Sequence, residues 1–259
     1  MSVPTRNKIR RLIALAALAL LAPAAAGCGE RQDEERGGPA ARADPTTGSP
    51  GRGGAVDPED FVDRIDNPFF PLEPGTRFRY EGATEEGDEV VEIEVTDEKK
   101  KILGVPTTVV HETVTRSGDL VEETRDWYAQ DRAGNVWYFG EDTKEMKNGE
   151  VVSTEGSWRA GQDGAEPGIV MKARPQVGDK YAQENAPDVA EDRAEVLALD
   201  EKVKVPYGSF DDVLQTEDTN QLETDVVEHK FYGKGVGLLL ERETEGGDDR
   251  LALTEVRRP

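Results

Sequence analysis

Two histidines stand where a metal ligand could. His111 and His229 each sit beside a glutamate, Glu112 and Glu228, in the runs Val-Val-His-Glu-Thr-Val and Val-Val-Glu-His-Lys-Phe-Tyr. Imidazole and carboxylate could together hold a transition metal if the two strands lay side by side. The closely spaced ligand pairs that define metal motifs are missing, so no metal site is expected. A strand histidine facing solvent is the commoner outcome.

Nucleophilic and phosphate chemistry find equally little support. The single cysteine, Cys28, lies in the N-terminal export segment, and no Gly-x-Ser-x-Gly elbow occurs. Gly208-Ser209-Phe210 reads as a corner turn. Gly233-Lys234-Gly235-Val236-Gly237 lacks phosphate-loop spacing and has no helix behind it, so its glycines read as a strand bend. Asp131 to Asn135 and Gly247-Asp248-Asp249 carry turn-forming residues without the calcium-loop pattern. Asp126 and Glu141 could in principle act as a glycosidase pair. Among 54 acidic residues, however, two neighbouring carboxylates are expected by chance. No catalytic residue and no cofactor are therefore assigned, and the chain is read as a non-enzyme.

The densest signal is aromatic. Five of the 16 aromatic residues fall between Trp127 and Phe139. They flank an Asp131-Arg132-Ala133-Gly134-Asn135 turn, so the stretch reads as two paired strands. Large aromatics dominate core burial, and a core is the usual explanation of such a cluster. The alternative is a ligand wall, built from Trp127, Trp137 and Phe139 or, on the opposite face, from Tyr128 and Tyr138. Trp158 and Met171 would join it from a segment further on.

The elements that must position these residues are strands. Val91, Ile93 and Val95 alternate with Glu92, Glu94 and Thr96, the period of a sheet with one wet face. Strands are expected over 76–83 and 88–96 around Glu85-Glu86-Gly87, then over 107–116, 120–130 and 135–141. Asn148-Gly149 is the strongest hairpin signal, joining 143–147 to 150–154. Further strands are expected over 179–183, 192–203, 211–219, 226–232, 236–243 and 251–256. Short links between them imply an antiparallel meander. Before the strands, Asp57 and Pro58 suit the start of a short helix reaching Ile65. Asn67-Pro68-Phe69-Phe70-Pro71-Leu72 should then run extended and plug one edge of the core. Residues 155–176, rich in Gly and Pro, break the strand rhythm and could be a flap or only a loop capping the sheet. The fold class is thus mainly all-β: a curved antiparallel sheet, half-barrel or sandwich of about a dozen strands with one short N-terminal helix.

Only residues 57–259 belong to that domain. Arg6, Lys8, Arg10 and Arg11 precede an apolar run over 12–22, the pattern of a secretory signal occupying 1–27. Ala25-Ala26-Gly27-Cys28 resembles the lipobox of bacterial lipoproteins, with Ala25 where that motif usually has Leu. An exported protein seldom keeps one idle thiol, so Cys28 is the expected lipidation site and membrane anchor. Ordinary cleavage after Ala26 is the other reading. Residues 28–56 read as a disordered Gly/Pro-rich tether reaching ~30 Å. Loss of the signal removes four positive charges and no negative ones, taking the net charge from −22 to −26. Such acidity argues against nucleic acid as a partner.

Asn67-Pro68-Phe69-Phe70-Pro71-Leu72, Trp127-Tyr128-Ala129-Gln130-Asp131, Val136-Trp137-Tyr138-Phe139-Gly140-Glu141-Asp142-Thr143, Gly208-Ser209-Phe210-Asp211-Asp212-Val213-Leu214 and Gly235-Val236-Gly237-Leu238 together resemble an uncharacterised family of exported bacterial lipoproteins. The resemblance spans roughly residues 57–257 and implies an extracytoplasmic β-rich domain with no catalytic residues to carry over. More loosely, the Gly-x-Phe-x-Asp-Val corner followed by Gly-Val-Gly-Leu is similar to curved-sheet proteins of the lipoprotein-carrier type. Some of those hold acyl chains on the concave face. The expected function is a lipid-anchored extracytoplasmic binding module for an apolar or amphipathic ligand. The alternative is an envelope interaction protein with a filled core and a protein partner.

Overall fold

The computed structural model describes residues 56–84 and 87–259. The expected signal, the lipidation site Cys28 and nearly all of the tether lie outside the described residues, as do Glu85 and Glu86 of the first turn. A 3₁₀ turn, Pro58–Asp60, precedes eighteen strands. These are β1 (Phe61–Val62), β2 (Ile65–Asn67), β3 (Phe70–Leu72), β4 (Arg77–Thr84), β5 (Gly87–Ile102), β6 (Val105–Arg116), β7 (Asp119–Asp131), β8 (Val136–Lys147) and β9 (Glu150–Ser153). The chain continues through β10 (Trp158–Arg159), β11 (Glu166–Met171), β12 (Lys180–Ala182), β13 (Glu184–Asn185), β14 (Asp192–Val205), β15 (Gly208–Asn220), β16 (Val227–Gly233), β17 (Gly237–Glu245) and β18 (Arg250–Arg257).

The order β12-β14-β15-β16-β17-β18-β4-β5-β6-β7-β8-β11-β13 makes one antiparallel sheet. Its two ends belong to almost the same segment. Residues 180–182 bond to β14, residues 184–185 bond to β11, and Gln183 between them donates to the Asp192 carbonyl. The sheet therefore curls into a nearly closed barrel, as full pairing of edge strands requires. The expected meander is present, with Asn148 and Gly149 both at positive φ in the β8–β9 turn.

Three expectations need correction. No α-helix runs from 58 to 65. Asp57 does cap, its Oδ1 accepting from Glu59 N–H, but the helical turn ends at Asp60. Phe61 and Val62 pair instead with Asp131 and Gln130, because sheet bonds satisfy their backbone better than a lone exposed turn. The strands expected at 135–141 and 143–147 are one continuous strand, β8, with Asp142 bonded opposite Arg125. The segment 155–176, expected to be irregular, contains β10 and β11, both paired to β8.

The plug is real and held by a polar lock. Phe69, Phe70 and Leu72 are buried, and Phe70 meets Tyr128 edge-on at 5.5 Å. Gln130 Oε1 accepts from the backbone N–H groups of Asp66 and Asn67, while Asn67 Nδ2 donates to the Gly134 and Lys172 carbonyls. The β7–β8 turn that dominates the sequence thus ties plug, β7, β8 and β11 together.

Candidate functional site

Cross-strand register assembles the inward face row by row, since paired residues point to the same side of a sheet. One row runs Phe78, Ile93, Glu112, Thr124, Thr143 across β4 to β8. The next runs Val95, Val110, Asp126, Glu141, Trp158 across β5 to β8 and β10. A third brings Thr108, Tyr128, Tyr138 and Gly168 together. Carboxylates therefore sit beside one another inside the barrel. Glu112, Glu122, Asp126, Glu141 and Glu184 are all buried there. Tyr80, Tyr128, Tyr138 and Tyr232 fill much of the remaining interior.

The polar contacts of this cluster are specific. Tyr138 donates its hydroxyl to Asp126 Oδ1 at 2.6 Å and stacks on Tyr128 at 4.7 Å. Trp158 stands edge-on to Tyr138 and donates its indole N–H to Glu184 Oε1 at 2.8 Å. Thr124 and Thr143 share a 2.7 Å hydroxyl contact, and Thr124 also donates to Glu122. Burial pushes Asp126 up to about 7, the Tyr138 bond pulls it back, and Glu122 adds to the rise. Burial likewise raises Glu112, assisted by Asp126, Glu122, Glu141 and Glu241. Glu184 rises for the same reason, with Asp192 hydrogen-bonded against it. Such displaced carboxyls mark a candidate site on general grounds.

An opening reaches this cluster. A cleft of about 290 Å³ lies where β8 passes from β9 to β11 and pairs with the two residues of β10. Trp127, Glu141, Asp142, Trp158, Arg159 and Val189 line it. A β-bulge beside Trp127 forces β8 aside at Gly140, whose φ is +125°. A Cβ at Gly140 would stand 2.3 Å from the Trp158 carbonyl oxygen, so only glycine admits β10 this closely. Lys100 places its ammonium 3.4 Å from the centre of the Trp127 ring.

The structure divides the residues named from sequence. Trp127 and Trp158 meet at the cleft. Trp137 and Phe139 pack instead against Phe61, at 6.2 and 5.5 Å, and the Trp137 indole donates to Asp131 Oδ2. Met171 is fully buried within the core. The histidines do not converge. His111 on β6 faces Glu123 at 3.3 Å, and His229 on β16 bonds Gln215, with β6 and β16 well separated in the sheet order. Among the described residues, no three His, Cys, Asp or Glu side chains are arranged to hold a metal. Asp126 and Glu141 are direct cross-strand partners. The pair Asp126 and Glu141, set aside in the sequence as a chance neighbourhood, is inward and buried together with Glu112. Their signal was parity: Glu112 shares its strand phase with Val110 and Val114, both buried, whereas His111 and Thr113 take the other phase.

No family model matches the chain, and no curated protein matches it. Two solved structures are similar. One, from Bacteroides fragilis and described as an exported protein with a YmcC-like fold, is 14% identical with a TM-score of 0.44, covering 73% of this chain and 99% of that one. The other, from Parabacteroides distasonis and described as a lipoprotein, is 13% identical with a TM-score of 0.41, covering 76% of this chain and 100% of that one.

Proposed function

We propose that this chain is a lipid-anchored, extracytoplasmic binding module without catalytic activity, which takes a small amphipathic molecule in the Trp127–Trp158 cleft. The observation that carries the reading is the cleft itself, with two tryptophans in its wall and a buried polar cluster directly behind Glu141. Apolar walls with a few convergent polar groups are the general form of a small-molecule site. Attachment through Cys28 and export by residues 1–27 rest on the sequence pattern alone. The segment 155–176 supplies one wall through Trp158 and Arg159, so a modest displacement of β10 would admit or release ligand.

A second reading is favoured by one observation. The concave face is largely filled, with Tyr128, Tyr138, Tyr232, Leu214, Leu239, Leu251 and Leu253 all fully buried. A filled barrel suits an envelope interaction protein that binds a protein partner on its outer surface. Native mass spectrometry of the full chain, released from detergent micelles in the gas phase, separates the two. A reproducible added mass of small-molecule size, lost in a Trp158→Arg variant, supports the module. A bare lipidated polypeptide that binds none of a set of small amphiphiles refutes it in favour of the interaction protein.

A further inference from the structure

We infer that the ligand of this cleft carries a single carboxylate, received by the Arg159 guanidinium with Lys100 in support. The inference rests on the cleft being a binding site and names the chemistry of what it binds.

The first ground is an exception in how this chain treats its cations. It holds 54 acidic residues against 32 lysines and arginines, so partners for a positive charge abound. Among the described residues, the buried or half-buried cations Arg79, Arg116, Lys144, Lys172 and Lys230 each stand within 4.0 Å of a carboxylate oxygen. Arg159 and Lys100 are half-buried as well, and neither has such a partner among those residues. Lys100 rests on the Trp127 ring instead, 3.4 Å from its centre. A guanidinium withdrawn from water without an acceptor forgoes its strongest bonds, which an oxyanion restores.

The second ground is that the two exceptions are neighbours. Burial lowers the Lys100 ammonium from its ordinary value, Arg159 lowers it further, Asp142 opposes the fall and Arg125 adds to it. Arg125 has its own carboxylate, Glu98, at 3.9 Å. Arg159 and Lys100 therefore repel each other beside Trp127, and an anion placed between them attracts both.

The third ground is access and shape. Arg159 lines the cleft together with Trp127 and Trp158. It stands opposite Gly140 on β8, a rung to which glycine contributes no side chain. The planar fork of arginine matches the two oxygens of a carboxylate. Trp127, Trp158, Pro187 and Val189 offer apolar surface to the rest of the molecule. Glu141, Asp142 and Asp163 also line the cleft, and they set a limit on the anion. One negative charge is balanced by Arg159 and Lys100, whereas the second charge of a phosphate would meet these carboxylates. A cleft of about 290 Å³ suits a compact aryl or short alkyl acid.

The test compares four probes of similar shape on the full chain in nonionic micelles: phenylpropanoate, phenethyl phosphate, phenethyl alcohol and phenethylammonium. Binding is read by calorimetry and by tryptophan fluorescence. The expected result is saturable binding of the carboxylate, about tenfold tighter than the alcohol, with the phosphate weaker than the carboxylate and the ammonium not bound. Arg159→Gln should bring the carboxylate down to the affinity of the alcohol while leaving the alcohol itself unchanged. Arg159→Lys keeps the charge without the fork and should lie between the two. Lys100→Gln, which should weaken the carboxylate alone, reads the same point if the Arg159 variants fail to fold. Tightest binding of the phosphate, the alcohol or the ammonium keeps the cleft as a binding site and overturns the carboxylate. Undiminished carboxylate binding in the folded variants overturns it as well. No binding by any probe overturns both the carboxylate and the cleft.

Discussion

Asp126→Asn should flatten the pH dependence of stability. Asp126 is 2% exposed, lies opposite Val110 and Glu141, and accepts the Tyr138 hydroxyl at 2.6 Å. Burial holds its carboxyl at about 7, against 3.8 for an unperturbed aspartate. Between those values the folded protein binds the proton and the unfolded chain does not. Stability contributed by this group is therefore fully present below about 4 and declines as pH rises toward about 7, levelling off above it. Over the interval from about pH 5 to about pH 8 the loss is on the order of 2–3 kcal/mol, since stability changes by about 1.4 kcal/mol per pH unit wherever the two states differ by one proton. Asparagine keeps an oxygen for Tyr138 and removes the titration. Urea unfolding of both proteins, followed by tryptophan fluorescence across that range, measures the difference directly. The general repulsion of a −22 chain acts on both alike, so the gap between the two curves isolates the carboxyl. The wild type should lose on the order of 2–3 kcal/mol more than the variant, which should be the more stable protein at the alkaline end. Parallel curves would refute the assignment of a neutral, buried Asp126.

Three further outcomes follow from single contacts. Lys230→Met should cost about 3–5 kcal/mol at neutral pH, because Asp218, Glu228 and Glu241 lose the ammonium that balances them; calorimetric melting checks it, and an unchanged melting temperature would contradict that balance. Gly140→Ala should cost about 3 kcal/mol, since its φ of +125° and the Trp158 carbonyl at 2.3 Å leave no room for a methyl group. Its signature beyond lowered stability is an altered Trp158 emission, as β10 is pushed from β8. Cys28→Ala should move the protein from the membrane to the soluble fraction on cell fractionation, and continued membrane retention would refute lipid anchoring.

How much of this was legible depends on which residues carried the signal. Val91, Ile93 and Val95 alternate with Glu92 and Glu94, and the burial of β5 follows that alternation. Asn148-Gly149 and Ser117-Gly118 mark their turns because both residues of each adopt positive φ. The helix at 58–65 was misread because Asp57 and Pro58 signal a helix start, which a single turn satisfies as well as a long helix. What made Phe61 and Val62 strand was Gln130 and Asp131, nearly seventy positions away. The site was harder still. A carboxylate inside a strand ordinarily reports a wet face, so nothing local set Glu112, Asp126 and Glu141 apart from the many other acidic residues of the chain. Their burial follows from the closure of the sheet around them, and the parity they share with valine was the one local trace. Trp127 and Trp158 could be named as aromatic candidates, but their meeting required β10 to lie on β8.

The pairing of β18 with β4 has a consequence in time rather than space. The hydrogen bond from Thr254 to the Arg79 carbonyl joins residues 175 positions apart, and closing a loop of that length costs about 4.5 kcal/mol of chain entropy before any contact repays it. A chain that emerges from its N-terminus must hold β4 with one edge unpaired until β18 has followed. During that interval the row from Tyr80 to Leu253 is broken, and a pairing this distant in sequence makes the sheet slow to complete. A chain stopped short of β18 would keep two open edges, at β4 and β17, and present them to proteases and to other chains. Pairing of β18 thus covers both edges at once.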